Sequence, residues 1–178
     1  MVKIYQEKET PILRSKAKLV PVKEISSKKI QKIITGMKKA LASQEDGVAI
    51  AAPQIGEPLR IFVVAGKTKA IIANEEGPVK YKDEVFINPE IIKLSRQKNS
   101  MEEGCLSVRW LYGKVKRSEK VEISAYDEKG KKVRRGASGL MAQIFQHECD
   151  HLEGILFIDK AKDIHEWVPE KELKKTNA

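Results

Sequence analysis

Apolar residues recur every three or four positions between residues 30 and 41, which is the spacing of one face of a helix. The positions are Ile30, Ile33, Ile34, Met37 and Leu41. Ser26 or Ser27 stands shortly before them, where a hydroxyl side chain caps the free backbone N–H groups of a first helical turn. The pattern predicts an amphipathic helix that buries one face and exposes the other.

Branched and aromatic residues are concentrated in strand-like runs through the middle of the chain. The runs cover about 60–65, 69–73, 84–94 and 114–126. Asp127-Glu128-Lys129-Gly130 follows the last run and is typical of a hairpin turn. The segment 66–83 contains Gly77-Pro78 and predicts an exposed hairpin or loop.

A buried helix is predicted over about 137–153. Leu140, Ile144, His147 and His151 follow one another at helical spacing, so two histidines extend an apolar stripe. The other faces of this helix are also largely apolar, which disfavours a solvated helix with a polar stripe. Because buried histidines need partners, this helix is where we expect the chemistry.

The C-terminal part of the chain carries shorter patterns. Ile155 to Ile158 predicts a short strand, and the tail from about 164 predicts a last helix that Pro169 interrupts or begins. Together the elements predict a single α+β domain over residues 1–178. Its small antiparallel or mixed sheets would pack around the central helix that carries the histidines.

His147-Glu148-Cys149-Asp150-His151 matches the pattern H-E-x-x-H. Residues four apart share a helix face, so both imidazoles can reach one metal ion, and Glu148 is placed to act as a general base. This is the pattern of a hydrolytic metal site. The pentapeptide lacks a third protein ligand.

The chain offers three possible sources of that third ligand. One metallopeptidase class would need a histidine where this chain has Phe157, so that class is excluded. A second class takes a later glutamate, for which Glu166, Glu170 and Glu172 are available. The third source is Cys105, whose thiolate would bind Fe(II) or Zn(II) well. The other interpretation of Cys105 is a buried structural cysteine.

Three motifs, in this order, resemble those of the peptide deformylase family. They are Gly47-Val48-Ala49-Ile50-Ala51-Ala52-Pro53-Gln54, Glu103-Gly104-Cys105-Leu106-Ser107 and Gln146-His147-Glu148-Cys149-Asp150-His151-Leu152. We expect the first motif to form a loop near the site. The resemblance runs from about residue 3 to residue 165. It implies one catalytic domain that removes the formyl group from the N-terminal formyl-methionine of newly synthesised proteins.

The resemblance also implies roles for single residues. The metal ligands would be Cys105, His147 and His151, leaving a fourth position for water. Glu148 would act as general acid and base for attack by the metal-bound water on the formyl carbonyl. The side-chain amide of Gln54 and the backbone N–H of Leu106 would donate to the oxyanion. We expect one divalent ion per chain, natively Fe(II), with Zn(II), Ni(II) or Co(II) as alternatives.

By the same resemblance, an apolar pocket beside the metal would take the methionine side chain. Its lining would be Val48, Ala49, Met101, Leu140 and Ile144, for which ordinary core packing is the other interpretation. Ala49 replaces a glycine of the family motif. Arg109-Trp110 stands where the family usually has proline and then a small or polar residue, at the rim that meets residues beyond methionine.

Charge and composition bear on partners and compartment. The net charge is +9, and residues 93–135 carry 13 Lys/Arg against 6 Asp/Glu. This basic surface predicts transient contact with ribosomal RNA, or else a lysine-rich solvated surface, and no DNA binding. No apolar run approaches the roughly 20 residues of a membrane span. Without an apolar leader, the chain is expected to be a cytoplasmic monomer, with its two cysteines unpaired.

The sequence therefore predicts a metal-dependent peptide deformylase that acts on formyl-methionyl nascent polypeptides. Two alternatives remain open at this point. One is an H-E-x-x-H metallopeptidase that uses a downstream carboxylate. The other is an inactive deformylase-like protein that binds ribosomes or RNA through its basic faces.

Overall fold

The structure, a computed structural model, describes residues 2–170 of the chain. Within this range the helices are α1 (Lys28–Ala42), α2 (Gly66–Ala73) and α3 (Gly139–Leu152). The strands are β1 (Ala49–Ala51), β2 (Ile61–Val64), β3 (Glu84–Leu94), β4 (Lys98–Cys105), β5 (Val108–Ser118), β6 (Lys120–Tyr126), β7 (Lys132–Ser138) and β8 (Lys162–Glu166). Among the described helices, none is both long and apolar enough to cross a membrane.

The strands form two antiparallel sheets. The larger sheet has the order β1-β2-β3-β6-β7, and the smaller has the order β4-β5-β8. The predicted α+β fold, with antiparallel sheets around the histidine-bearing helix, is confirmed. Strand β1 lies at the edge of the larger sheet and pairs only with β2 among the described strands, from Ala49 opposite Val64 to Ala51 opposite Phe62.

Helices cover both faces of the larger sheet. Successive side chains of a strand point to opposite faces, so β2 contributes to two cores. Ile61 and Val63 pack with α1, which buries the predicted stripe including Ile34 and Met37. On the other face, Phe62 and Val64 join the core that contains α3. The sheet is therefore a rigid layer that holds both helices in place.

An aromatic cluster fixes α3 on its side of the sheet. The ring of Phe145 lies edge-on to Phe86 at 5.1 Å between centroids, and Phe86 stacks on Phe62 at 4.8 Å. Such aromatic contacts add to the burial of large apolar side chains and restrict how the helix can rotate. Because Phe145 faces this core, the helical face that bears His147 and His151 has a defined direction.

The C-terminal end of α3 is also fixed by a close backbone approach. Gly154, just after the helix, has φ of +76°, and a Cβ atom there would meet the backbone of Arg14 at 2.7 Å. The amide of Ala17 donates to the carbonyl of Leu152 at 2.9 Å. Glycine is required here for both its left-handed backbone and its lack of a side chain. The N-terminal segment thereby holds the helix end that carries His151.

The longer predicted elements are confirmed. Helix α1 begins after Ser27, whose hydroxyl accepts from the amide of Ile30. The hairpin turn is present between β6 and β7, where the amide of Gly130 donates to the carbonyl of Asp127 at 3.0 Å. The run 114–126 is interrupted after Ser118 and supplies parts of both β5 and β6.

Several shorter predictions are wrong. The run 69–73 lies in helix α2, and the first motif is partly strand β1 rather than a loop. Residues 155–158 form no strand, because the turn Phe157–Asp159 satisfies its backbone locally, including a 2.9 Å bond from the Leu156 amide to the Asp159 carboxylate. The tail from about 164 begins in strand β8, and residues 167–169 are not helical, while the residues from 171 onward, with Leu173, lie outside the described residues.

Candidate metal centre

Three predicted ligands come together where α3 meets the smaller sheet. Cys105 is the last residue of β4, and His147 and His151 lie one turn apart on α3. The ligand atoms of the three side chains lie within 4.8 Å of one another, and Cys105 Sγ is 3.2 Å from His151 Nε2. One thiolate and two imidazoles suit Fe(II) or Zn(II) and leave a coordination position open.

His147 is oriented by a carboxylate behind it. Its Nδ1 donates to Glu103 Oε2 at 2.9 Å, which leaves Nε2 as the nitrogen available to a metal. Glu103 is itself held by Arg117, whose Nε and Nη2 donate to the two carboxylate oxygens at 2.7 and 2.9 Å. Although burial raises the pKa of Glu103, Arg117 and His147 lower it to about 2. The carboxylate therefore stays ionised and keeps its hold on the imidazole.

Arg117 connects this carboxylate to a second one on the metal-binding helix. Its Nη1 donates to Asp150 Oδ2 at 2.6 Å, and Asp150 also accepts from Lys160. The side chains of Arg117 and Glu103 are only 5% and 2% exposed. Asp150 thus forms ion pairs with two basic residues and points away from the ligand cluster. The role of Arg117 was missed because nothing in the local sequence indicates partners 14 and 33 residues away.

The Cys105 sulfur lies in surroundings that favour the thiolate. Burial raises the pKa of this thiol, but His151 and His147 lower it to about 5. The amide of Ser107 donates to the sulfur at 3.4 Å, and Gln54 Nε2 lies 3.6 Å from it. A pocket that stabilises a thiolate beside two imidazoles is suited to a divalent cation.

The other cysteine has the opposite character. Cys149 is a free thiol buried in the core between α3 and the sheet, and burial raises its pKa to about 12. It lies outside the cluster of potential ligands. Both cysteines are free, which confirms that they are unpaired.

Glu148 is a buried carboxyl group next to the ligands. It is 4% exposed, and burial raises its pKa despite the opposing effect of His147 and His151. Among the described residues, its Oε2 atom has no hydrogen-bond partner. Buried oxygens are normally paired, so an unpaired one that borders a cavity indicates a position for water or substrate. The donor set and this oxygen together fit a hydrolytic metal ion.

Gln54 and Leu106 border the same cavity. Gln54 Oε1 accepts from the amide of Ala51 at 2.8 Å, which fixes the side chain so that its NH₂ group faces Cys105 and Ser107. Leu106 and Ser107 form the two-residue turn between β4 and β5. The carbonyl of Leu106 accepts from Gln6 Nε2 at 3.0 Å, so the turn is held from the N-terminal side.

The cavity has a volume of about 270 Å³ and places four of the five predicted pocket residues together. Val48, Ala49, Leu140 and Ile144 line it, whereas Met101 lies on β4 opposite Val115 and is not among the lining residues. An apolar wall beside three metal ligands and an unpaired carboxylate suits hydrolysis of a small polar group attached to an apolar residue.

Comparisons with known proteins agree with this geometry. The sequence model of the polypeptide deformylase family matches residues 1–167. A peptide deformylase of Halothermothrix orenii is 46% identical over 88% of this chain and 91% of its own length. The chloroplastic/mitochondrial peptide deformylase 1A of Arabidopsis thaliana is 40% identical over 84% of this chain and 58% of its own length. A crystal structure of an Acinetobacter baumannii class I type b peptide deformylase with Met-Ala-Ser bound superposes with a TM-score of 0.76. It is 31% identical, and the match covers 90% of this chain and 99% of that one.

Proposed function

The chain belongs to the polypeptide deformylase family, whose members are metal-dependent hydrolases that remove N-formyl groups, and we propose that its substrate is the formyl-methionyl end of new polypeptides. The observation that carries the proposal is the cluster of Cys105, His147 and His151 beside an apolar cavity. The formyl group is small enough to reach the metal, and the apolar side chain of methionine can pack against the lining of the cavity. One site therefore accommodates both groups. The Met-Ala-Ser peptide in the Acinetobacter structure supports the same substrate class.

The proposed ligands are Cys105 Sγ and the Nε2 atoms of His147 and His151. A bound divalent ion would polarise the formyl carbonyl and lower the pKa of a coordinated water. We propose Fe(II) as the native ion. A thiolate with two imidazoles binds Fe(II), and the same donor set also accepts Zn(II), Ni(II) or Co(II). Glu103 and Arg117 keep His147 in the orientation that ligation needs.

Glu148 is the proposed general base and acid. It would take a proton from the attacking water and pass it to the departing amine nitrogen, giving formate and a free N-terminus. Its buried position raises the pKa of its carboxyl above the ordinary value, the direction that suits a group that both accepts and returns a proton. The unpaired Oε2 atom is the proposed acceptor of the first proton.

Gln54 and Leu106 are the proposed donors to the formyl oxygen as it gains negative charge. The hydrogen bond from the Ala51 amide to Gln54 Oε1 fixes the orientation of the side-chain NH₂ group before a substrate binds. In the same proposal, Val48, Leu140 and Ile144 hold the methionine side chain. Strand β1 is an edge strand of the larger sheet and its Ala49 lines the cavity, so an extended peptide in the cavity could pair with the backbone there.

Partners and compartment are proposed from charge and composition. We propose transient ribosome contact through the basic residues of 93–135, a monomeric state, and action in the cytoplasm. The Arabidopsis relative, whose name places it in chloroplasts and mitochondria, shows that related enzymes also work in organelles.

The primary test is formate release from formyl-Met-Ala-Ser by protein purified without oxygen and loaded with Fe(II). We expect rapid release, loss of activity when a chelator strips the ion, and recovery when Fe(II) is restored. Absence of release from protein that holds one ion per chain would contradict the proposed substrate. It would favour the alternative of an inactive protein that binds ribosomes or RNA.

Replacing Cys105 by serine tests the ligand set. A neutral hydroxyl is a poor ligand for Fe(II) or Zn(II), so we expect metal content well below one ion per chain and little formate release. Metal analysis after gel filtration measures this directly. The matched control is Cys149→Ala, because Cys149 lies outside the ligand cluster and its loss should leave metal content unchanged.

The same variant distinguishes the peptidase alternative. A peptidase that uses a downstream carboxylate would keep its metal in Cys105→Ser. Glu166 lies exposed on β8 and is not part of the ligand cluster, so the structure does not favour that alternative. Glu172 lies outside the described residues.

A further inference from the structure

The rim of the cavity contains a backbone conformation that is costly for its residue type. Trp110 has φ of +68°, in the left-handed region. The other non-glycine residues with positive φ in the described chain are Asn74, Asn88 and Asp163, types that adopt this region readily. A bulky tryptophan does not, and such strain persists only where the surrounding structure imposes it.

The strain arises in a bulge of the β4–β5 hairpin. Cys105 pairs with Val108, and Gly104 pairs with Tyr112, so the three residues 109–111 have no partners on β4. Bulges redirect side chains, and where a bulge contains a left-handed position, as in the G1 type, glycine usually occupies it. Here the bulge starts four residues after the metal-ligating thiol of Cys105, and all three of its residues line the cavity.

Both the backbone and the ring of Trp110 are held in place. The carbonyl of Trp110 accepts from the amide of Trp167 at 2.8 Å. The guanidinium of Arg109 lies 5.3 Å from the centre of the indole ring and donates to Asp46 and Gln44 at 2.6 Å each. One face of the indole is therefore covered by a cation that is itself fixed. Trp110 lines the cavity and is only partly buried, which leaves ring surface available to a substrate side chain.

We propose that Trp110 is a specificity-determining residue that stacks with an aromatic side chain in one of the two substrate residues after formyl-methionine. The inference rests on the proposed deformylase function and adds a second recognition element to the methionine pocket. An aromatic partner fits best, because it can stack on the indole ring, whereas a small side chain would leave the ring uncovered. The strained backbone is retained because it presents this ring at the cavity.

The test compares kcat/KM for formyl-Met-Ala-Ser, formyl-Met-Phe-Ser and formyl-Met-Ala-Phe in Fe(II)-loaded protein. The wild type should favour one of the aromatic peptides by about three- to tenfold, through a lower KM with kcat little changed. Trp110→Gly should abolish this preference, and Trp110→Phe should keep most of it. Formyl-Met-Lys-Ser is the control with a basic side chain, and its kcat/KM should not exceed that of formyl-Met-Ala-Ser.

Thermal unfolding separates recognition from packing. Glycine adopts φ of +68° without strain, so Trp110→Gly should melt no lower than the wild type. A lower melting temperature with all peptides slowed equally would make Trp110 a structural residue and overturn the proposal. An equal preference in the wild type and Trp110→Gly would also overturn it. Turnover of formyl-Met-Ala-Ser by the wild type reports separately on the proposed function.

Discussion

Replacing Glu148 by glutamine should lower kcat for formate release by about 10²- to 10⁴-fold while the metal remains bound. Glutamine has the same shape and fits the buried site, but it cannot accept a proton from water. The three proposed ligands are unaffected, so metal analysis should still give one ion per chain. Steady-state kinetics with formyl-Met-Ala-Ser, paired with metal analysis of the same sample, checks both halves of the expectation.

The matched control for this variant is Glu153→Gln. Glu153 lies just beyond the end of α3 and pairs with Lys16 and Arg60, away from the ligand cluster. The Glu153→Gln variant should keep nearly full activity. If Glu148→Gln retained more than about a tenth of the wild-type kcat with full metal, the general base would have to be another group.

Replacing Arg117 by methionine should destabilise the protein by about 3–5 kcal/mol. The change removes both charged hydrogen bonds to Glu103 and leaves a carboxylate that is 2% exposed without its cation. Asp150 loses less, because Lys160 still pairs with it at 2.7 Å. Denaturant unfolding of the metal-stripped protein measures this cost without the contribution of the ion.

The same substitution should weaken metal binding by about 10- to 100-fold, because Glu103 would no longer be held against His147. Arg134→Met is the surface control, since Arg134 is 68% exposed in its pair with Glu122 and should cost less than about 1 kcal/mol. A further test adds Glu103→Gln to Arg117→Met, which should recover part of the lost stability. A loss below about 1 kcal/mol in Arg117→Met would contradict the role given to this pair.

Elements with long regular patterns could be predicted from the sequence, and short ones could not. The stripe on α1 extends over about three turns, which only a helix explains. The run 69–73 has five residues, too few to separate a strand period from a helical one, and it lies in α2. Residues 162–166 became strand β8 because the edge of β5 offers backbone partners there, a tertiary effect without a local signal.

The residues of the site also fall into those that the sequence predicts and those that it does not. His147, His151 and Glu148 follow from spacing on a helix, and Cys105 and Gln54 follow from motif resemblance. Arg117 could not be predicted, because its function depends on a sheet that brings β4, β5 and α3 together. Sequence alone also could not place Met101 outside the cavity lining, since that depends on which side of β4 faces α3.

The separation of the metal ligands between β4 and α3 has a consequence during synthesis of the chain. His147 follows Cys105 by 147 − 105 = 42 residues, and translation at about 5–20 residues per second spends roughly 2–8 s on that interval. Until α3 docks, the thiol has no imidazole beside it, its pKa stays near the ordinary value, and it is mostly protonated and slow to oxidise. Docking creates the ligand and the oxidation-prone thiolate at the same moment. A divalent ion bound at that moment would therefore shield the thiolate from oxidants.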